Sequence, residues 1–214
     1  MLCTSPRAWA GFAAASALLQ PALLHAAESD SEMWVELSAL HQIAPDTNLR
    51  LEVEQRRREG ADDRIAGAQV EVASGPVALG AGLELHDAAG FTEVRPFQQV
   101  SWRLAGLTWR TRMEERVPDG ADRPGLRLRQ RAQFSAPLGP ASVARLSAEL
   151  LYQLRASEEG GPRRIDQWMF VGAVQHRIAP KLFLTAAYLL QVRPRPAGQT
   201  RHTHVPQLAL AYTF

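Results

Sequence analysis

Along most of the chain, apolar and polar residues alternate with a period of two. Leu49, Leu51 and Val53 interleave with Arg50, Glu52, Glu54 and Arg56. Leu107, Trp109, Thr111 and Met113 interleave with Thr108, Arg110, Arg112, Glu114 and Arg116. Leu126, Leu128, Ala132 and Phe134 interleave with Arg127, Arg129, Arg131 and Gln133, and the rhythm recurs in 77–86, 94–104 and 144–154. On a helix these charges would be spread around the whole surface. A strand sends successive side chains to opposite faces, so the pattern predicts strands with one apolar and one polar face.

Eleven such strands are predicted, near 33–42, 48–58, 64–73, 77–86, 94–104, 107–117, 125–134, 141–154, 165–178, 181–192 and 204–214. Soluble strands average about 5 to 6 residues. Most of these are longer, near the length a tilted strand needs to cross a bilayer. Their polar faces hold complementary Arg and Glu, as a lumen would. Short connections (44–47, 74–76, 105–106, 136–140, 179–180) trade places with longer polar ones (59–63, 87–93, 118–124, 156–164, 193–201), the alternation of periplasmic turns and outer loops. The expected fold is an all-β transmembrane antiparallel up-and-down β-barrel of about 10–12 strands. Bacterial single-chain barrels carry an even strand number. On that rule either ten strands close and the Trp34 segment packs elsewhere, or one segment is two strands and the total is twelve. The segment 165–178 has no clear phase, because Trp168, Phe170 and Val174 compete with Met169, Val171 and Ala173.

In the last segment His204, Pro206, Leu208, Leu210, Tyr212 and Phe214 share one face. An aromatic residue ending an alternating strand looks like the signal read by the outer-membrane barrel assembly machinery, here Tyr212 and Phe214. At the other end Arg7, an apolar run from Ala8 to Leu24 and the small residues Ala26 and Ala27 read as a secretory signal over residues 1–27. The barrel would then occupy 28–214. The sole cysteine, Cys3, would leave with the signal, so neither a disulfide nor a cysteine metal site is expected. No later stretch is long and apolar enough for a membrane helix. Export to the outer membrane of a Gram-negative bacterium is the expected localisation, with membrane lipid and lipopolysaccharide as neighbours.

The chain has 214 residues with a net charge of +2, which points away from nucleic acid. Of its 24 cationic residues only Lys181 is a lysine. Arginine suits crowded ion pairs because its planar fork donates bidentately, although a G+C-rich genome would give the same bias. The predicted inward faces carry Arg50, Glu52, Glu54, Arg56, Gln69, Glu71, Glu84, Arg95, Gln99, Arg103, Arg110, Arg112, Glu114, Arg116, Arg127, Arg129, Arg131, Arg145, Glu149 and Gln153. Arginines outnumber carboxylates there. Either the network simply holds the barrel in shape, or a residual positive potential lets small anions pass.

An outer-membrane enzyme acting on lipid or envelope substrates is the competing class. His86 beside Asp87, and His202-x-His204, are its candidates, yet no serine or third metal ligand is spaced to complete either site. No catalytic residue, metal or cofactor is therefore assigned. The aromatics Trp34, Trp102, Trp109, Trp168, Tyr152, Tyr188, Tyr212 and Phe214 are expected to form interfacial girdles.

The order of several short motifs resembles the outer-membrane proteins grouped as domain of unknown function 2490. These are Trp34, Glu54-x-Arg56, Arg95-Pro96-Phe97-Gln98-Gln99, Arg110-x-Arg112-x-Glu114-x-Arg116, Arg127-x-Arg129-x-Arg131, Glu149, Asp166-Gln167 and the closing strand to Phe214. Each is weak alone, and the match lies in their order over nearly the whole mature chain. The resemblance implies an outer-membrane barrel and brings no assigned activity.

Overall fold

The computed structural model describes residues 28–88, 90–195 and 200–214. The expected signal segment, 1–27, lies outside the described residues. Eleven strands follow one another: β1 (Glu28–Ala44), β2 (Thr47–Arg58), β3 (Ala61–Ser74), β4 (Val77–Ala88), β5 (Phe91–Leu104), β6 (Leu107–Pro118), β7 (Gly125–Pro137), β8 (Ser142–Arg155), β9 (Arg164–Ala179), β10 (Leu182–Pro194) and β11 (Thr200–Thr213). They form one closed barrel in sequence order. A 12-residue strand tilted by about 45° rises roughly 28 Å, enough to cross the hydrocarbon layer.

Every neighbouring pair from β1 to β11 is antiparallel except the seam. There β1 pairs with β11 in parallel, from Glu28 opposite Arg201 to Leu40 opposite Thr213. The count of eleven lies within the expected 10–12 and overturns only the even-number rule that left ten or twelve. The Trp34 segment is neither outside the barrel nor one of an even set; it is β1, and it closes the wall. In an up-and-down meander with an odd count, the first and last strands run the same way and can meet only in parallel. Without that seam two rows of backbone N–H and C=O groups would face lipid, each at a cost of several kcal/mol.

Five connections, including Pro45–Asp46, Gly75–Pro76 and Ala105–Gly106, lie at what we call the turn end, together with Phe214. At Ala105–Gly106 both residues have positive φ (45° and 85°), the backbone of a two-residue hairpin that matches strand twist. At the opposite, loop end, β2–β3 and β4–β5 are joined by only two residues each. The sequence pattern predicts longer loops there; the strands instead continue, and only β6–β7, β8–β9 and β10–β11 have longer connections.

The barrel is inside-out. Leu79, Leu83 and Leu85 of β4 are exposed while Glu84 and His86 between and beside them are buried. Val35, Leu37, Leu51, Val53, Val70, Val72, Phe134, Leu146, Phe170 and Leu208 join the outer surface. So large an apolar belt is a surface for lipid rather than for water. Trp102, Trp109, Tyr212 and Phe214 cluster near its turn-end rim, with Trp168 towards the other rim. Trp34 departs from the girdle expected of it, because its side chain points inward and is 5% exposed.

Candidate functional site

Two halves of the lumen differ. Towards the loop end the interior is closed by side chains. Glu114 on β6 is fully buried and is the hub. It accepts hydrogen bonds from Arg127 Nε and Nη2 (2.9 and 2.6 Å) and from Arg129 Nη1 (2.8 Å). Arg112 lies 3.7 Å away and donates to Glu84 (2.8 Å) and Gln99 (2.9 Å). Glu149 accepts from Arg129 (2.8 and 3.0 Å) and from Arg110 (2.8 Å). Nearer the loops, the buried Glu93 is clamped by Arg116 (2.6 and 3.1 Å) and by Arg95. Arg127 also reaches Asp166 (3.3 Å), and Arg193 donates to Gln167 (2.8 Å) and Gln191 (2.9 Å). Beside these pairs Trp34, Leu189 and Val205 form a small apolar cluster. Arg56 stacks on the Trp34 ring at 3.8 Å, and the indole N–H donates to Glu32 (2.8 Å).

A glycine makes room for part of this closure. Gly82 faces inward opposite Phe97, and a Cβ at that position would come within 2.5 Å of the Phe97 ring and 2.4 Å of the Ala68 carbonyl oxygen. The tip of the ring therefore occupies the space over Gly82, and the Arg112 guanidinium stacks on the ring at 3.8 Å.

Towards the turn end the lumen holds a cavity of about 550 Å³. Seven arginines line it (Arg50, Arg56, Arg110, Arg112, Arg129, Arg131 and Arg145), against five carboxylates (Glu36, Glu52, Glu54, Glu84 and Glu149). Some of these pair locally: Arg50 with Glu36 (2.6 Å) and Glu52 (2.8 Å), and Arg56 with Glu54 (2.5 Å). Arg131 and Arg145 form no ion pair among the described residues. Their partners are the neutral amides of Gln133 and, at 2.7 Å, Gln175. Arg103 pairs with Glu71 (2.8 Å) at the exposed rim, outside the cavity.

The opposite wall carries no charge. Met169, Val171 and Ala173 of β9, Ala187 of β10, and Ala209 and Ala211 of β11 face the same cavity, together with the uncharged polar Gln175, Thr185 and Gln207. Sequence reasoning missed this wall, along with Glu36, Glu93 and Trp34. The signal was present in the unclear phase of 165–178. Trp168, Phe170 and Val174 are exposed outward and Met169, Val171 and Ala173 point inward, so both faces of that strand are apolar.

The histidines singled out for possible chemistry do not converge. His86 is buried in the lumen wall, its Nε2 lying 2.8 Å from Arg95 Nη1 and 3.2 Å from Glu84. Since a guanidinium can only donate, Nε2 accepts from Arg95. His204 faces outward, its Nδ1 2.5 Å from the Tyr188 hydroxyl. Tyr212 and Phe214 pack edge to face at 4.9 Å on the outer surface, and the Phe214 N–H donates to the Leu40 carbonyl (2.9 Å).

These features define an inside-out β-barrel with a polar, constricted lumen. The chain belongs to the family described as protein of unknown function (DUF2490), whose profile matches residues 31–202. Among solved structures it resembles the NanC porin, with 9% identity and a TM-score of 0.53 over 77% of this chain and 81% of that one. The KdgM porin in complex with disordered oligogalacturonate is also similar, with 13% identity and a TM-score of 0.48 over 72% and 81%. The NanC likeness shows a shared barrel fold. No curated protein sequence matches.

Proposed function

We propose that this protein is a channel of the Gram-negative outer membrane that admits small anions to its turn-end vestibule and restricts their passage with the loop-side network. The observation that carries this reading is the excess of arginine over carboxylate around the cavity, where the hydrogen bonds of Arg131 and Arg145 go only to neutral amides among the described residues. A cation held in a narrow lumen draws anions, as arginine rings do in anion pores. A network serving shape alone would have every charge matched, since unmatched buried charge is costly.

Planar-bilayer recording tests the proposal. Purified protein should give small discrete conductance steps, and a salt gradient should give an anion-selective reversal potential that weakens in Arg131→Gln/Arg145→Gln. An absence of steps at high salt would leave only a structural barrel. On the same reading the turn end faces the periplasm, and lipopolysaccharide surrounds the loop rim. The assembly machinery would engage Tyr212 and Phe214 before β1 pairs with β11, because the finished seam occupies that edge of the last strand.

A further inference from the structure

We propose that the turn-end vestibule is a binding site for an amphipathic organic anion, a compact apolar body bearing one carboxylate, sulfonate or phosphate. This deepens the channel reading and rests on its claim that the vestibule admits solute, though not on flow through the barrel.

The two walls set the requirement jointly. On one side the hydrogen bonds of Arg131 and Arg145 go only to amides, and the Nε–H groups of Arg110 and Arg131 find no acceptor, among the described residues. Those cations call for an anionic group. On the other side the lining is uncharged, with Val171, Ala173, Ala187, Ala209 and Ala211 forming an apolar patch between the polar Gln175, Thr185 and Gln207. The contrast in side-chain length matters as much as the contrast in polarity. Arginine and glutamate fill the space against β2–β8, whereas alanines leave it empty against β9–β11. Empty volume beside an apolar wall is poorly held by water and is favourable for an apolar group. An inorganic anion would satisfy the arginines and leave that wall wet. A neutral apolar solute would fill the wall and leave the arginines unmatched. Only a molecule with both parts answers both, and about 550 Å³ is within the size range of small-molecule sites.

The test is calorimetric titration of the full-length barrel in lipid nanodiscs with benzoate, acetate, inorganic phosphate and benzyl alcohol, with empty nanodiscs subtracting partition into lipid. Benzoate should bind saturably and about tenfold or more tightly than each of the others, a margin of about 1.4 kcal/mol. Arg131→Gln/Arg145→Gln should remove the advantage over benzyl alcohol. Ala187→Asn/Ala209→Asn should remove the advantage over acetate. Equal binding of acetate or phosphate would reduce the vestibule to a plain anion site, and equal binding of benzyl alcohol to a plain apolar cavity. Either result overturns the proposal, as does no saturable binding of benzoate. The wild-type series decides even if a variant misfolds. Benzoate binding without conductance steps would remove the channel reading alone, and steps without a benzoate preference would remove only this site.

Discussion

The wall built by β2–β8 and the wall built by β9–β11 share one lumen and solve its packing differently. On the first, long ionic side chains reach across strands until almost every charge has a partner, and Glu114 alone gathers three arginines. On the second, short uncharged residues leave the interior open at the turn end, while Leu189 and Val205, packed on Trp34 of β1, close it at the loop end beside the bonded Arg193, Gln167 and Gln191. A charged lining is therefore not a general property of the vestibule. At the turn end the charges belong to one side, and the space available to a solute lies where the side chains are short.

The largest break in that comparison should come from the charged wall. Glu114→Gln leaves Arg112, Arg127 and Arg129 facing a neutral group, and breaking a buried ion network in this way costs about 3–5 kcal/mol. The urea midpoint of the barrel in detergent should fall accordingly, and an unchanged midpoint would mean that Glu114 is not the hub. Gly82→Ala comes next, at about 1–3 kcal/mol, because its methyl group collides with Phe97 and with backbone. Temperature of loss of heat-modifiable gel mobility reports it. Adding Phe97→Leu to Gly82→Ala should recover part of the loss, and no recovery would count against the packing account.

Substitutions on the apolar wall should separate stability from passage. Ala187→Val adds volume to empty space, so its stability change should stay within about 0.5 kcal/mol, while single-channel conductance drops. A large stability loss with unchanged conductance would reverse the roles given to the two walls. The smallest effect is expected at the rim, where Arg103→Gln removes a half-exposed pair with Glu71. Such pairs contribute about 0.2–1 kcal/mol, and the change in unfolding midpoint should shrink further in high salt.

Some of the ionic wall is legible along the chain. Arg50 with Glu52, Arg56 with Glu54 and Arg95 with Glu93 are two residues apart, and a strand places such residues on one face. The pairs that close the lumen are not legible in this way. Arg110 meets Glu149 across 39 positions and Arg112 meets Glu84 across 28, separations that follow from strand register and from the reach of a guanidinium. The apolar wall was hidden for a different reason. Period two separates faces only when they differ in polarity, and β9 is apolar on both.

By itself the sequence determined the strand-by-strand succession, the inside-out alternation and the charged face. Those depend on neighbours along the chain and on the two-residue repeat of a strand. The tertiary structure decided the parallel seam between β1 and β11, the burial of Trp34, and which half of the lumen is closed. Each of these depends on edges and side chains that meet only when the wall curves shut, and no local pattern encodes where a closing edge will land.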